Sequence, residues 1–256
     1  EHYQKMRRAY RRIFDRVGLE TMPVEADVGA MGGSASEEFM LLSSVGEETI
    51  IYCPHCGYVV NQEQAKRQDF ATLEKGDTSA PIAKVATPDV KTIAELMDFF
   101  QSDSQYFVKS VVYTRDEKDL VTIFIRGDLD INEVKLKNYL GAAELRLAQD
   151  EKIRDQLAVE PGYIGPVTFD GYALFDTSVA SVPVAITGAG EKGYHYQNVV
   201  AGRDYTIGET VPLHLVYGGD PCPKCTSPLV EKPGTELGHI FKLGKKYSES
   251  MSLKVL

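Results

Sequence analysis

The sequence predicts a mixed α/β protein of the α+β kind, with one domain inserted into a loop of another. Three observations carry this. Strand-like and helix-like segments follow one another in mixed order, without a strict βαβ alternation. A polar, irregular stretch over residues 69–90, containing Pro81 and Pro88, separates two regions of well-patterned sequence. All four cysteines fall in two C-x-x-C pairs, CPHC at 53–56 and CPKC at 222–225, with Cys56 and Cys222 lying 166 positions apart.

In chain order, Met6, Tyr10, Ile13, Phe14 and Val17 recur at helical spacing with Arg and Lys between them, and Gly18 suits the end of that helix. No N-cap residue precedes this helix, so the chain reads as a piece excised from a longer one. TMPVEADVGAMGGSASEEFMLLSS reads as two strands around a Gly/Ser turn, and ETIIYC as a short strand running into the first cysteine pair. Residues 69–90 read as a linker. Thr92 and Glu95 then form a T-x-x-E capping box ahead of a helix whose apolar face is Ile93, Leu96, Met97 and Phe100. FVKSVVY and LVTIFI read as strands, and Asp130, with Glu133 three residues on, as the start of another helix. A short helix near residues 151–157, the rigid loop PGYIGPV, and strands at YALF, SVPVAI and GYHYQNVV complete the middle region. The tail has strand character at residues 239–243 and turns helical after Lys246. The expected divisions are residues 1–69, 70–217 and 218–256.

The 256 residues are 43% hydrophobic and 25% charged, which is ordinary globular composition. A net charge of −9 argues against a general DNA-binding protein, which presents a broad basic face. It leaves room for a site that handles only the end of an RNA. The basic runs KMRRAYRR and KLGKKYS read first as solvated surface. No apolar run approaches the ~20 residues a membrane span needs, and the first residues lack the apolar segment of a signal peptide. A cytoplasmic, reducing setting is therefore expected, in which paired cysteines serve as metal ligands or redox groups rather than disulfides.

Two matched C-x-x-C turns can offer four thiolates to one tetrahedral Zn²⁺. Cys53, Cys56, Cys222 and Cys225 are the candidate ligands. Each pair has a proline after its first cysteine, and Gly57 suits a knuckle where backbone amides approach sulfur. A redox pair and plain buried thiols remain as alternatives. Loop-closure entropy rises only logarithmically with length, so the long gap is tolerable. It becomes natural if the intervening chain is an insertion whose ends lie side by side.

EADVGAMGGSASEEFMLLSSVGEETIIYCPHCGY, together with GTELGHIFKLGKKYS far downstream, resembles the catalytic core of the bacterial-type prolyl-tRNA synthetases, which are class II aminoacyl-tRNA synthetases. KTIAELMDFF, FVKSVVY, FIRGDLDINEVKLKN, GYIGP and GYHYQNVVAGRDY resemble that family's inserted editing domain. The resemblance covers essentially the whole chain. It implies an editing-type mixed-sheet domain set into a partial class II antiparallel core, with a zinc ribbon-like neck. Departures are informative. Ser36-Glu37-Glu38-Phe39 stands where the family usually has Ser-His-Glu-Phe, and many members lack these cysteines. The first and second class II motifs, with the arginine that holds ATP, the third motif and the anticodon-binding domain are not in this sequence. ATP and Mg²⁺ chemistry is thus expected of a full-length parent, itself expected to be a homodimer.

The resemblance implies hydrolysis of mischarged alanyl-tRNA for proline. Alanine fits a proline pocket, and a missing methylene is rejected by only ~1 to 3 kcal/mol, so a second sieve is needed. The expected partners are the 3′ end of that tRNA and the amino acids alanine and proline. Lys109, within FVKSVVY, is expected to hold the terminal phosphate or the developing carbonyl charge. Gly162 is expected to offer a backbone N–H to an oxyanion, with Gly165 and Pro166 shaping the same G-x-x-x-P loop. His195 is expected to line the small amino-acid pocket as a size filter, and Asp176 to contact the amino group. His239 matches a residue near the proline pocket of the synthetic site, with Glu25 and Phe39 in segments around it. The competing reading is a non-catalytic zinc-ribbon module that docks RNA or protein.

Overall fold

The computed structural model describes residues 1–74 and 76–254. The chain first forms α1 (His2–Arg16), β1 (Met22–Ala26), β2 (Ser36–Leu42), β3 (Glu48–Tyr52) and β4 (Val59–Asn61). Next come β5 (Ala83–Ala86), α2 (Ile93–Phe100), β6 (Phe107–Arg115), β7 (Asp119–Arg126), α3 (Glu133–Leu140) and β8 (Leu145–Leu147). These are followed by α4 (Asp150–Leu157), β9 (Ala173–Asp176), β10 (Ala185–Gly188), β11 (Tyr194–Val199) and β12 (Thr210–Val211). Last come β13 (Val230–Phe241) and α5 (Lys246–Ser250). Contacts divide the chain into two compact units, Glu1–Gln68 with Leu215–Leu256, and Asp69–His214.

In the discontinuous unit, five strands close a barrel in the order β1-β2-β13-β3-β4. Neighbours are antiparallel except at the closure, where β1 and β4 meet in parallel through Glu25 and Val60. The twelve-residue β13 makes this possible, pairing with β3 by its first half and with β2 by its second. Val24, Met40 and Ile50 fill the interior. Strand alternation sends Phe39 outward, where it stacks on Tyr10 of α1 at 5.4 Å and meets Phe14 at 5.6 Å. Only part of the expected apolar face of α1 is used: Phe14 is buried, whereas Met6, Ile13 and Val17 are exposed.

The chain leaves this unit and re-enters it side by side. Gln68 N–H donates to the Pro221 carbonyl at 2.9 Å, the Gln62 amide donates to Val216 O at 2.9 Å, and Arg67 pairs with Asp220. The return falls between His214 and Leu215, ahead of residue 218. Val216 explains this, being fully buried with Ile51, Cys53, Cys222 and Leu229.

The continuous unit is built on a mixed sheet in the order β12-β9-β7-β6-β10-β11-β5, with β8 added to β6. Both faces of its centre are covered. Val108, Val112, Phe124 and Phe175 pack with Ile153 of α4 on one side; Tyr113, Ile123, Ile125 and Leu174 pack with Leu136 of α3 on the other. That is why LVTIFI is a near-continuous apolar run. The capping box at α2 forms as expected, with Glu95 N–H donating to Thr92 Oγ1 at 3.3 Å and Thr92 N–H to Glu95 Oε2 at 2.9 Å. Two local expectations change. Asn132, not Asp130, caps α3, accepting from Lys135 N–H at 3.0 Å. The stretch that reads as linker contains β5, which pairs with β11 at the sheet edge.

Asp176, at the end of β9, is fully buried. Its carboxylate accepts from the backbone N–H groups of Ser178 (2.8 Å), Leu213 (2.7 Å) and His214 (3.0 Å) and faces His214 Nδ1 at 3.0 Å. Burial opposes its charge, but the His214 ring and the Ser178 donors hold its pKa below the usual aspartate value. The expectation that Asp176 contacts a substrate amino group is therefore corrected: its oxygens are taken up inside the fold, tying β9 to the segment after β12. Asp176→Ala strands these donors and should lower unfolding free energy by roughly 3 to 5 kcal/mol, read in a urea titration.

Candidate active site

One edge of β6 pairs with β7 along nearly its whole length. The other edge is shared: β10 takes Phe107 and Val108, and β8 takes residues 113–115. A cavity of about 140 Å³ opens where β10 leaves off. Its walls are Ile93 and Leu96 of α2, Phe107 and Val108, Ile164 and Ile186, and its polar groups come from Lys91, Lys109, Ser110, Thr187 and His195, with Gly162 and Gly188 supplying backbone. Against the ~300 to 1,000 Å³ of pockets that hold larger ligands, the space suits a small group and not a whole nucleotide.

Lys109 enters this cavity with its side chain 23% exposed. Its ammonium donates to the Gly127 carbonyl at 3.2 Å and faces Asp130 Oδ1 at 3.8 Å. Burial lowers its pKa, and the charges of Asp130 and Asp128 work against that. His195 is buried, its Nδ1 lying 2.7 Å from Thr87 Oγ1. Its ring also hydrogen-bonds the Gly162 backbone, and Tyr163 packs against it with centroids 5.3 Å apart. Burial brings its pKa down to about 4, so the imidazole is neutral at neutral pH. With the Thr87 hydroxyl donating to Nδ1, the remaining ring N–H points to the Gly162 carbonyl.

Gly162 has φ +90°, a conformation that favours glycine. Gly165 is required for a different reason: a Cβ there would stand 1.8 Å from the Gly188 carbonyl oxygen. Gly165 and buried Pro166 thus press the loop onto β10 and do not line the cavity themselves. The fold brings Lys109, Gly162 and His195 together. Sequence reasoning passed over Thr87 and Lys91, which lie in or beside the polar stretch and carry no pattern of their own.

In the barrel unit, alternation separates the expected residues. Val24 and Met40 face inward, so Glu25 and Phe39 face outward, Glu25 exposed and Phe39 packed under α1. The grouping of Glu25, Phe39 and His239 around one pocket is corrected on that ground. His239 faces Glu38 instead, its Nδ1 3.7 Å from Glu38 Oε1 and 3.7 Å from Glu236 Oε1. Glu38 is 8% exposed, and its Oε2 and His239 Nε2 have no partner among the described residues. Burial, helped by the negative charges of Glu236, Glu48 and Glu63 and opposed by the Asn61 side chain, pushes the Glu38 pKa up to about 7. Burial also lowers that of His239. The signal for Glu38 was the alternation itself, which sets it on the face of Met40.

The four cysteine sulfurs lie within 4.8 Å of one another, with Cys53 Sγ 3.5 Å from Cys225 Sγ and Cys56 Sγ 3.6 Å from Cys222 Sγ. Disulfides need ~2.05 Å. Four thiolates around a tetrahedral metal at ~2.3 Å stand about 3.8 Å apart, so the set fits a metal ion. Lys224 N–H donates to Cys222 Sγ at 3.4 Å, as expected of a knuckle. Backbone and side-chain hydrogen bonds from Ser227 draw the Cys225 pKa down to about 6. Cys56 has a Tyr58 backbone hydrogen bond favouring its thiolate, yet desolvation and the three neighbouring sulfurs push it up to about 12. A cation among them removes that conflict.

Comparison with known proteins now bears on both units. Residues 87–205 match the aminoacyl-tRNA editing domain, a span that lies wholly within the continuous unit. Along nearly its whole length, the chain is a relative of the proline–tRNA ligases. It is 44% identical to that of Brachyspira hyodysenteriae over 99% of this chain and 44% of that protein. It is 43% identical to that of Heliobacterium modesticaldum over 100% of this chain and 44% of that protein, and 41% identical to that of Thermotoga maritima over 98% and 43%. The chain thus spans less than half the length of the curated relatives it matches.

The raised pKa of Glu38 makes a signed prediction. The folded state holds this proton more tightly than the unfolded chain, so its contribution is full below pH ~4.5 and is lost as pH rises to about 7. Glu38→Gln keeps the neutral form at every pH. Its stability relative to the parent should therefore rise by roughly 3 kcal/mol between pH 4.5 and 7, by paired urea titrations.

Proposed function

We propose that residues 69–214 hydrolyse the ester bond of alanyl-tRNA mischarged for proline, within a proline–tRNA ligase. The observation that carries this is one small cavity, about 140 Å³, lined by Lys109, Gly162 and His195 inside the segment that matches the editing domain. The alanine methyl sits against Ile93, Leu96 and the neutral His195 ring, and proline is excluded by size. Water attacks the ester carbonyl carbon, and the bond from that carbon to the ribose oxygen breaks. One proton of the water passes to the ribose oxygen, which the RNA keeps as a hydroxyl, and the other goes to solvent as alanine leaves as its carboxylate. The Lys109 ammonium and the Gly162 N–H stabilise the oxyanion that forms on the way. His195, with its pKa near 4, serves as wall and loop anchor rather than as a base near pH 7.

The four thiolates hold a structural Zn²⁺, on this reading, which joins the departing and returning strands of the barrel unit. ATP, Mg²⁺ and the dimer belong to the full-length relative, as does the ligation of proline. Among the described residues no helix is long and apolar enough to cross a membrane, and the reading places the protein in the cytoplasm.

Incubation with matched alanyl- and prolyl-tRNA for proline tests the reaction. Alanine should be released and proline retained, and Lys109→Ala should slow release by about 100-fold. His195→Ala should admit the prolyl substrate. The rate should show no inflection near pH 6.5, because His195 does not titrate there. No alanine release by the parent chain, or equal activity in Lys109→Ala, overturns the assignment. For the metal, elemental analysis should find one zinc per chain. Chelation or Cys222→Ser should remove it and lower the thermal midpoint of the barrel unit.

A further inference from the structure

We propose that Lys91 binds a backbone phosphate at the RNA end, seating the acceptor strand at the mouth of the cavity. This rests on the editing reading and adds to it a residue for the nucleic-acid half of the substrate. The cavity is too small for a nucleotide, so the ribose and its phosphate stay outside while the amino acid enters. Two cations line it. Lys109 is engaged within by Gly127 and Asp130. Lys91 is at the rim, its side chain 46% exposed, and its ammonium meets Glu160 Oε1 only at 3.9 Å.

That long pair can be given up without stranding a carboxylate. Glu160 is already held by both arms of Arg154, at 2.9 and 3.0 Å. Among the described residues the Lys91 ammonium has no closer partner, so its three N–H donors are open to a phosphate. The residue is also fixed in place. Its backbone N–H donates to Glu95 Oε2 at 2.9 Å, the same oxygen that closes the capping box of α2. Its stem lies over the loop: Lys91 Cβ, Cγ and Cδ come 3.2, 3.5 and 3.6 Å from where a side chain on Gly162 would start. A cation carried over the reacting loop loses little freedom on binding. A chain of net charge −9 repels RNA overall, which gives such a local cation more of the work of attraction.

The test compares kcat/KM for two esters, 3′-O-alanyl-adenosine and the same compound carrying a 5′-phosphate. The parent chain should prefer the phosphate-bearing ester by about tenfold, expressed in KM. Lys91→Ala should abolish that preference, Lys91→Glu should reverse it, and Lys91→Arg should restore it. Lys152→Ala, which removes the same charge from a surface outside this cavity, should leave the preference intact. With alanyl-tRNA, Lys91→Ala should reduce the slope of log(kcat/KM) against log salt by about 0.7. A preference that survives Lys91→Ala, a parent chain with no preference, or an equal loss on both esters overturns the assignment of Lys91 alone. Hydrolysis of neither ester by the parent chain overturns the editing reading and Lys91 with it.

Discussion

The contact between the 162–166 loop and β10 is the constraint on which the rest of the candidate site depends. A Cβ on Gly165 would meet the Gly188 carbonyl oxygen at 1.8 Å, and one on Gly188 would meet the Tyr163 carbonyl oxygen at 2.3 Å. Two glycines therefore let backbone lie directly on backbone. Gly190 N–H then closes onto Tyr163 O at 2.7 Å. This brings Gly162 against the His195 ring on β11 and under the stem of Lys91. The void that remains is small because the loop cannot stand off.

Burial acts on four ionisable groups here with different outcomes, decided by what surrounds each one. Asp176 is fully buried and stays charged, because three backbone N–H groups and a histidine converge on it. Glu38 is nearly as buried but faces other carboxylates, so the proton is favoured. His195 has a hydroxyl and a carbonyl as partners and no counter-charge, so it stays neutral. Lys109 keeps Asp130 within reach, which offsets part of its desolvation. The first holds the fold together. The last two line the cavity, His195 as a neutral wall and Lys109 as a cation whose charge burial disfavours.

Several elements were legible because their cause is local. The Thr92–Glu95 capping box is four residues long and forms as the spacing demands. The β6 and β7 strands follow from apolar runs, and α4 and α5 from short-range pattern. Other elements have no local cause. β5 reads as linker because AKVA has little strand character; the open edge of β11 makes it a strand. Asn132 takes the cap of α3 because it directly precedes Glu133, where the helix starts, while Asp130 lies further back and faces Lys109. Alternation turns Glu25 and Phe39 outward, but that Glu38 then meets His239 follows from the pairing of β2 with β13, which are distant in the chain.

By itself, the sequence determined the class of fold, the two matched cysteine turns and the family resemblance, because each resides in residue identity and short spacing. Tertiary structure alone decided that four sulfurs 166 positions apart in their inner members converge to a metal's dimensions. It also decided that Asp176 is an internal tether and that Lys91 stands over Gly162. The physical reason is common to all of these. Burial, close approach and the company of charges are set by segments distant in the chain, and no window of sequence contains both partners.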